Sequence, residues 1–298
     1  DLNRNFPAGW SKSVRGAGDH PLSEPEIAAL VRAIVARPNI CGYNALHTSG
    51  GVLLRPSSTA PDSALAPADL WVWNELGRVG TDLTGYPVHS VFEDFTWDKS
   101  DTMSGAADDW AFEHLGVFSW TTEFWDVVHA ATGTKQSTHF WYTGPTDTEA
   151  LAVLRWADEH APGQHVDWYP FDHPQLGRVE LGGWNHLGVW TNPPGPRLRA
   201  EVAPHARFAV TQALASPCLA VRHTAATALG ADTWRVELGV ANTGWLPTYV
   251  SQRAKKDNLV LPLVVELVAP EGARVVDGAA RRQLGQLEGR AAIRFAGG

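Results

Sequence analysis

The pattern of hydrophobic and polar positions predicts alternating helices and strands over the first two thirds of the chain. Apolar residues recur every three or four positions at 27–35, after a capping box of Ser23 and Glu26, and the stretch ends before Pro38. Further helices are predicted at residues 67–82, 108–114 and 146–160, the last long helix, capped by Thr146 or Asp147, and strands at 40–46, 88–92 and 117–125. Such alternation indicates an α/β fold with a mixed, mostly parallel sheet flanked by helices.

From about His205 the pattern changes to short alternating runs. They lie at residues 234–241, 259–268 and 291–295 and are separated by clusters of Gly, Pro, Asn and Asp, which is typical of an antiparallel β-sandwich. The sequence therefore predicts an α/β domain over residues 1–200 and a β-sandwich accessory domain over residues 201–298. A folding aid and a ligand-binding module are both compatible with the second domain.

Composition narrows the classes of partner. The chain has 298 residues, of which 44% are hydrophobic and 19% charged, enough for a sizeable core. Its net charge of -8 and pI near 5.8 argue against nucleic acid or an anionic membrane as the main partner. The sequence contains no apolar run of the length that a membrane span needs.

Polar residues that could bind a substrate, bind a metal or act as a base lie at three places in the first half of the chain. Asn3 and Arg4 place an amide beside a guanidinium, a pair suited to a carboxylate such as a peptide C-terminus. His47 follows a predicted strand and precedes a Gly-rich turn, where a neutral imidazole can bind zinc. Glu123 lies in an aromatic strand and shares a face with Thr121, which makes it a candidate general base.

Five segments in the same order resemble the carboxypeptidase A/B family of zinc metallopeptidases. They are residues 1–6, 23–26, 47–51, 104–112 and 118–126. The resemblance implies hydrolysis of the C-terminal peptide bond of peptides or proteins, and it favours a secreted or periplasmic location. It also implies the roles of four residues: Asn3 and Arg4 hold the substrate carboxylate, His47 is a zinc ligand, and Glu123 takes a proton from zinc-bound water and passes it to the leaving amine.

The sequence departs from the family at two places. The family's other two zinc ligands come from a His-x-x-Glu motif upstream of Asn-Arg, and none of the 12 His residues here has Glu three positions later. The resemblance therefore implies that the α/β domain over residues 1–200 is a catalytic domain incomplete at its N-terminus, and that an N-terminal fragment of the same protein supplies these ligands for Zn²⁺. The family also has a mobile Tyr nine residues before the Trp of the fourth segment, and Asp101 occupies that place, where it is expected to affect substrate binding.

Asp108 has two interpretations. It matches the position where carboxypeptidase B-like members use an acid to select C-terminal Lys or Arg. It also lies in the first turn of a predicted helix, where an acid interacts favourably with the helix dipole.

Two alternatives to a peptidase are a non-catalytic relative that binds carboxylates or peptides, and a hydrolase of small acyl-amino acids. The presence of Glu123 favours the peptidase, since a buried carboxylate is costly when it is unpaired.

Overall fold

A computed structural model describes residues 1–100, 102–137 and 140–295. The α-helices are α1 (Pro25–Val35), α2 (Pro67–Thr84), α3 (Ala107–Leu115), α4 (Val127–Thr132), α5 (Phe140–Thr143), α6 (Asp147–His160), α7 (His186–Val189), α8 (Gly195–Leu214) and α9 (Gln252–Lys256). The strands are β1 (Gly42–Thr48), β2 (Val52–Arg55), β3 (Val88–Ser90), β4 (Phe118–Phe124), β5 (His165–His173), β6 (Gly177–Trp184), β7 (Leu219–Gly230), β8 (Thr233–Asn242), β9 (Leu263–Glu266) and β10 (Arg281–Gly285). Within these described ranges, no helix combines the length and the apolar character needed to cross a membrane.

The first half of the chain forms a four-stranded sheet in the order β1-β4-β2-β3. The pairs β1–β4 and β2–β3 are parallel, whereas β2–β4 is antiparallel. Alternate residues of β4 point to opposite faces. Trp120 packs among residues of α2 and α8, and Ser119 donates a hydrogen bond to the carbonyl of Asp108 in α3. The predicted mixed α/β sheet with helices on both faces is confirmed.

The larger core lies between the sheet and helices α2 and α8. Trp73 of α2 is fully buried and its ring meets Phe118 edge-on at 5.2 Å, while Phe208 of α8 packs against Trp120 at 5.5 Å. The prediction that residues 146–160 form the last long helix is wrong, because α8 has 20 residues. The helix contains one Pro in its first turn, a position where helices accept it, and Pro204 in its interior. In the sequence alone, both prolines resemble helix breakers.

The predicted capping box at the start of α1 is also wrong. Helix α1 begins at Pro25 with Glu24 as an N-cap that makes no side-chain capping bond. Ser23 instead accepts a hydrogen bond from Asn5 at 2.9 Å and donates one to Glu24 at 3.0 Å. The cap of α6 is confirmed, since Thr146 and Glu149 form a complete capping box. The hydroxyl of Ser23 is used to hold the N-terminal segment rather than the helix.

The C-terminal region contains antiparallel strand pairs, as predicted. In the described residues the pairs β5–β6, β7–β8 and β9–β10 are separate two-stranded sheets, not the two larger packed sheets of a sandwich. Residues 291–295, predicted to be a strand, lie in a 3₁₀ helix, Arg290–Phe295, because the N–H groups of Arg290 and Ala291 bond to the carbonyls of Gly244 and Trp245. Residue 200, the predicted domain boundary, lies inside α8, and the division into domains stays a prediction.

Candidate active site

Strand pairing brings His47 and Glu123 together. In the parallel register of β1 and β4 the two residues are direct partners, so their side chains leave the same face of the sheet. His47 Nδ1 lies 3.5 Å from Glu123 Oε1. The hydrogen bond to Glu123 raises the pKa of His47 against the opposing effect of burial, and the charges of Glu123 and Asp108 add to the increase. A metal ion and a proton would compete for His47, because only the neutral imidazole is a ligand.

The N-terminal segment is held in place by its own amide side chains. Asn5 is fully buried, and its Nδ2 donates hydrogen bonds to the carbonyls of Ala17 and His20, while its Oδ1 accepts the N–H of Glu24. Asn3 Oδ1 accepts the N–H of Ala107 at 2.8 Å. Because the amide oxygen of Asn3 is engaged at the start of α3, its Nδ2 is left as the donor that can meet a carboxylate.

Arg4 is half-buried beside Asn3. Its Nη1 donates a hydrogen bond to the carbonyl of Asn3 at 2.7 Å. Burial lowers the pKa of Arg4, and the charges of Asp108, Tyr142 and Asp109 oppose that shift. An arginine remains protonated in proteins, so the site contains a fixed positive charge with several donors in a plane.

Two adjacent acids at the start of α3 have different environments. Both oxygens of Asp109 accept the N–H of Ser58, at 3.0 and 3.2 Å, so this carboxylate fixes α3 to the loop after β2. Asp108 is only 2% exposed, yet it lines the cleft described below. Burial raises the pKa of both carboxyls, and the neighbouring charge of Asp108 raises the pKa of Asp109 further.

One cleft of about 320 Å³ unites the predicted residues. Its polar lining is Asp1, Asn3, Arg4, His47, Ser58, Asp108, Thr121 and Glu123, and its other lining is Leu54, Val91, Phe95, Met103, Ala106, Trp141 and Tyr142. Asn3, Arg4, His47, Asp108 and Glu123 thus share a single site. Asp101 lies outside the described residues.

Sequence reasoning missed the aromatic side of this cleft. Trp141 and Tyr142, both from α5, are 37% and 50% exposed. The Trp141 ring packs on Phe95 at a centroid distance of 4.7 Å. The same ring lies against Gly50, where a side chain's Cβ atom would be only 2.2 Å from the ring. The consecutive aromatic residues Phe140, Trp141 and Tyr142, in an otherwise polar stretch, were the available signal.

The described side chains do not form a complete zinc site. In the part of the chain that the structure describes, no three His, Cys, Asp or Glu residues are grouped so that they could hold one metal ion. A catalytic zinc takes three protein ligands and keeps a fourth position open. His47 is therefore one candidate ligand, with the carboxylate of Glu123 beside it.

Comparison with known proteins matches two parts of the chain. Residues 1–142 match the family model described as "Zinc carboxypeptidase", and residues 218–296 match a "Domain of unknown function (DUF8731)". A similar curated protein is Carboxypeptidase A5 of Macaca fascicularis, 27% identical over 138 residues, which cover 43% of this chain and 30% of that protein.

Solved structures show more distant similarity. Thrombin activatable fibrinolysis inhibitor is 23% identical, with a TM-score of 0.34, and the match covers 54% of this chain and 41% of that one. Carboxypeptidase A from Helicoverpa armigera is 20% identical, with a TM-score of 0.33, and the match covers 53% and 41%. The chain thus spans less than half the length of each of these three relatives. Residues 1–142 of this chain are thus similar to the zinc carboxypeptidase family.

Proposed function

We propose that the protein containing this chain removes the C-terminal residue of peptides or proteins by hydrolysis. The observation that carries the proposal is the single cleft that contains a carboxylate-binding pair, Asn3 and Arg4, together with His47 and the candidate base Glu123. Binding of a terminal carboxylate next to a base is what an exopeptidase needs, since it must recognise the chain end and activate water one bond away.

Asn3 and Arg4 bind and orient the substrate. The guanidinium of Arg4 and the Nδ2 of Asn3 provide donors for both oxygens of a terminal carboxylate, and the bond from Arg4 Nη1 to the carbonyl of Asn3 limits how far the two can separate. Glu123 accepts a proton from the attacking water and gives it to the leaving amine. Its side chain is 13% exposed, so the carboxylate is shielded from solvent but still faces the cleft.

Zinc is proposed as the cofactor on the basis of the family. His47 would be one ligand, and residues outside this chain, in a His-x-x-Glu motif of an N-terminal segment, would provide the other two. Bound zinc would supply a Lewis acid for water and the scissile carbonyl. Activity is accordingly proposed for the protein with that segment, and this chain contributes substrate binding and proton transfer.

Asp108 is proposed to select the side chain of the residue that is cleaved off. It is a buried carboxylate at the cleft wall, and a C-terminal Lys or Arg would provide the opposite charge. Asp108 also lies in the first turn of α3, so an interaction with the helix dipole alone is the competing interpretation.

The experiment uses the full-length protein and two peptides that differ only in a free or amidated C-terminus. Mass spectrometry should show loss of one residue from the free peptide and none from the amide, and a chelator should stop the reaction until zinc is restored. Arg4→Lys should raise KM about tenfold or more, because a lysine cannot bind a carboxylate in two-pronged fashion. Arg32→Lys, on the exposed face of α1, is the control. Equal cleavage of both peptides would refute carboxylate recognition, and binding without cleavage would indicate a non-catalytic protein.

A further inference from the structure

Trp125, two residues after Glu123, has a backbone conformation that its neighbours must hold. Its φ is 68°, in the left-handed region that bulky residues rarely adopt. The residue comes directly after the end of β4 and turns the chain away from the sheet. The direction in which β4 ends, and with it the position of Glu123, therefore depends on what holds Trp125.

Three hydrogen bonds hold this residue. Its carbonyl accepts the N–H of Gly50 at 2.7 Å, its ring Nε1 donates to the carbonyl of Val189 at 2.6 Å, and its own N–H donates to the hydroxyl of Tyr86 at 2.8 Å. Gly50 is three residues after His47. Trp125 thus connects the turn that follows His47 with the strand end that carries Glu123.

Tyr86 is oriented by a residue of helix α8. Its side chain is buried, and its hydroxyl donates a hydrogen bond to the carboxylate of Glu201 in α8. A hydroxyl has one proton, so donation to Glu201 directs an oxygen lone pair toward the N–H of Trp125. Helix α8 lies beyond the residues that match the zinc carboxypeptidase model.

We propose that Tyr86 is a positioning residue that fixes the distance between Glu123 and His47 through Trp125, with Glu201 orienting its hydroxyl. This role rests on the proposed function. Loss of the hydroxyl would free the N–H of Trp125 and allow the end of β4 to relax. Small displacements of a catalytic group reduce turnover strongly, whereas Asn3 and Arg4, which bind the substrate, would not move.

The test compares Tyr86→Phe with Tyr249→Phe in the full-length protein. Tyr249 is an equally buried tyrosine whose hydroxyl donates to Glu288 at 2.8 Å, and it does not line the cleft. Each hydroxyl donates one hydrogen bond and accepts another, so both variants lose two bonds and both should lower the melting temperature. Only Tyr86→Phe should reduce kcat, by about tenfold or more, with KM within about twofold and zinc content unchanged.

Each other outcome is decisive. An unchanged kcat in Tyr86→Phe, or an equal loss in Tyr249→Phe, overturns the positioning role and leaves the proposed function intact. A wild-type protein that does not hydrolyse peptides overturns both. If Tyr86→Phe does not fold, Glu201→Ala on α8 decides: a kcat at least about threefold lower supports the role, and a kcat equal to that of the wild type refutes it.

Discussion

Glu123 Oε1 lies 3.5 Å from Nδ1 of His47 because the parallel pairing of β1 and β4 makes the two residues direct neighbours. At this distance the carboxylate favours the protonated form of the imidazole, and the pKa of His47 is raised accordingly. The pair faces the same cleft as Arg4. A candidate base thereby lies next to a candidate metal ligand, in the cleft that also contains the candidate carboxylate-binding group.

The first prediction concerns Glu123 as the proton carrier. In the full-length protein, Glu123→Gln should lower kcat by about 10²- to 10⁴-fold, because the amide keeps the shape of the side chain but cannot accept the proton. Zinc content, measured by mass spectrometry of the metal, should not change, and KM should remain close to that of the wild type.

A matched control is Glu180→Gln, since Glu180 is an exposed residue of β6 far along the chain from the cleft residues. Its kcat should equal that of the wild type. Turnover near the wild-type value in Glu123→Gln would remove Glu123 from the mechanism, and loss of zinc in that variant would show that its role is in metal binding instead.

The sequence predicted several residues that line the cleft but did not predict how they approach one another. Asn3, Arg4, His47 and Glu123 were identifiable because their types and order match a known motif set. Their approach to one another depends on the register of β1 against β4, which is set by packing of distant residues. The anchoring role of Asn5 was not predictable, because its hydrogen-bond partners lie in a loop without regular structure.

The fold was predictable where hydrophobic periodicity and helix signals agree, and was missed where they conflict. Helices α2 and α6 and strand β4 appear close to their predicted positions. Helix α8 was missed because Pro204 breaks the helical pattern in the sequence, yet Phe208 gains enough burial against Trp120 to keep the helix. Tertiary packing decided the structure there, and local propensity did not.

The second prediction concerns the residue that is cleaved off. With peptides that differ only in the last residue, the wild type should prefer Lys and Arg over Leu and Phe. Asp108→Asn should reduce that preference by about tenfold or more, because it removes the opposite charge at nearly constant volume. The measurement is kcat/KM for each peptide.

Asp82→Asn is the control for this prediction, since Asp82 lies on α2 with an exposed side chain paired to Arg78 at 3.2 Å. It should leave the ranking of peptides unchanged. If Asp108→Asn also leaves the ranking unchanged and only lowers the melting temperature, then Asp108 serves the N-terminus of α3 and not the substrate.

The third prediction concerns a bond between distant parts of the chain. Asp69 of α2 is buried, and its two oxygens accept the N–H groups of Gln252 and Arg253 at 2.7 and 3.0 Å, at the start of α9. Asp69→Ala should lower the free energy of unfolding by about 1–2 kcal/mol, because both donors lose their partner. In chemical denaturation, Asp82→Ala on the same helix should cost well under about 1 kcal/mol. Equal losses would contradict a specific role of Asp69.

The last prediction concerns pH and a buried histidine. His205 of α8 packs between the rings of Tyr86 and Phe124, at centroid distances of 4.6 and 4.5 Å, and its Nδ1 has no hydrogen-bond partner among the residues that the structure describes. Burial lowers the pKa of His205 from 6.5 to about 4. The folded state therefore keeps the ring neutral in a range where the unfolded chain takes up a proton.

The free energy of unfolding should consequently decrease as the pH is lowered from 6.5 to about 4. Above pH 6.5, His205 is neutral in both the folded and the unfolded state, so it makes no pH-dependent contribution to stability. Between pH 6.5 and about 4, only the unfolded state binds the proton. Lowering the pH through this range should therefore reduce the free energy of unfolding by up to about 3 kcal/mol. Denaturation curves at several pH values should show that His205→Gln loses less stability than the wild type as the pH is lowered. The control His223→Gln, at an exposed residue of β7, should lose as much as the wild type. If the wild type and His205→Gln lose stability in parallel over this window, the titrating group is not His205.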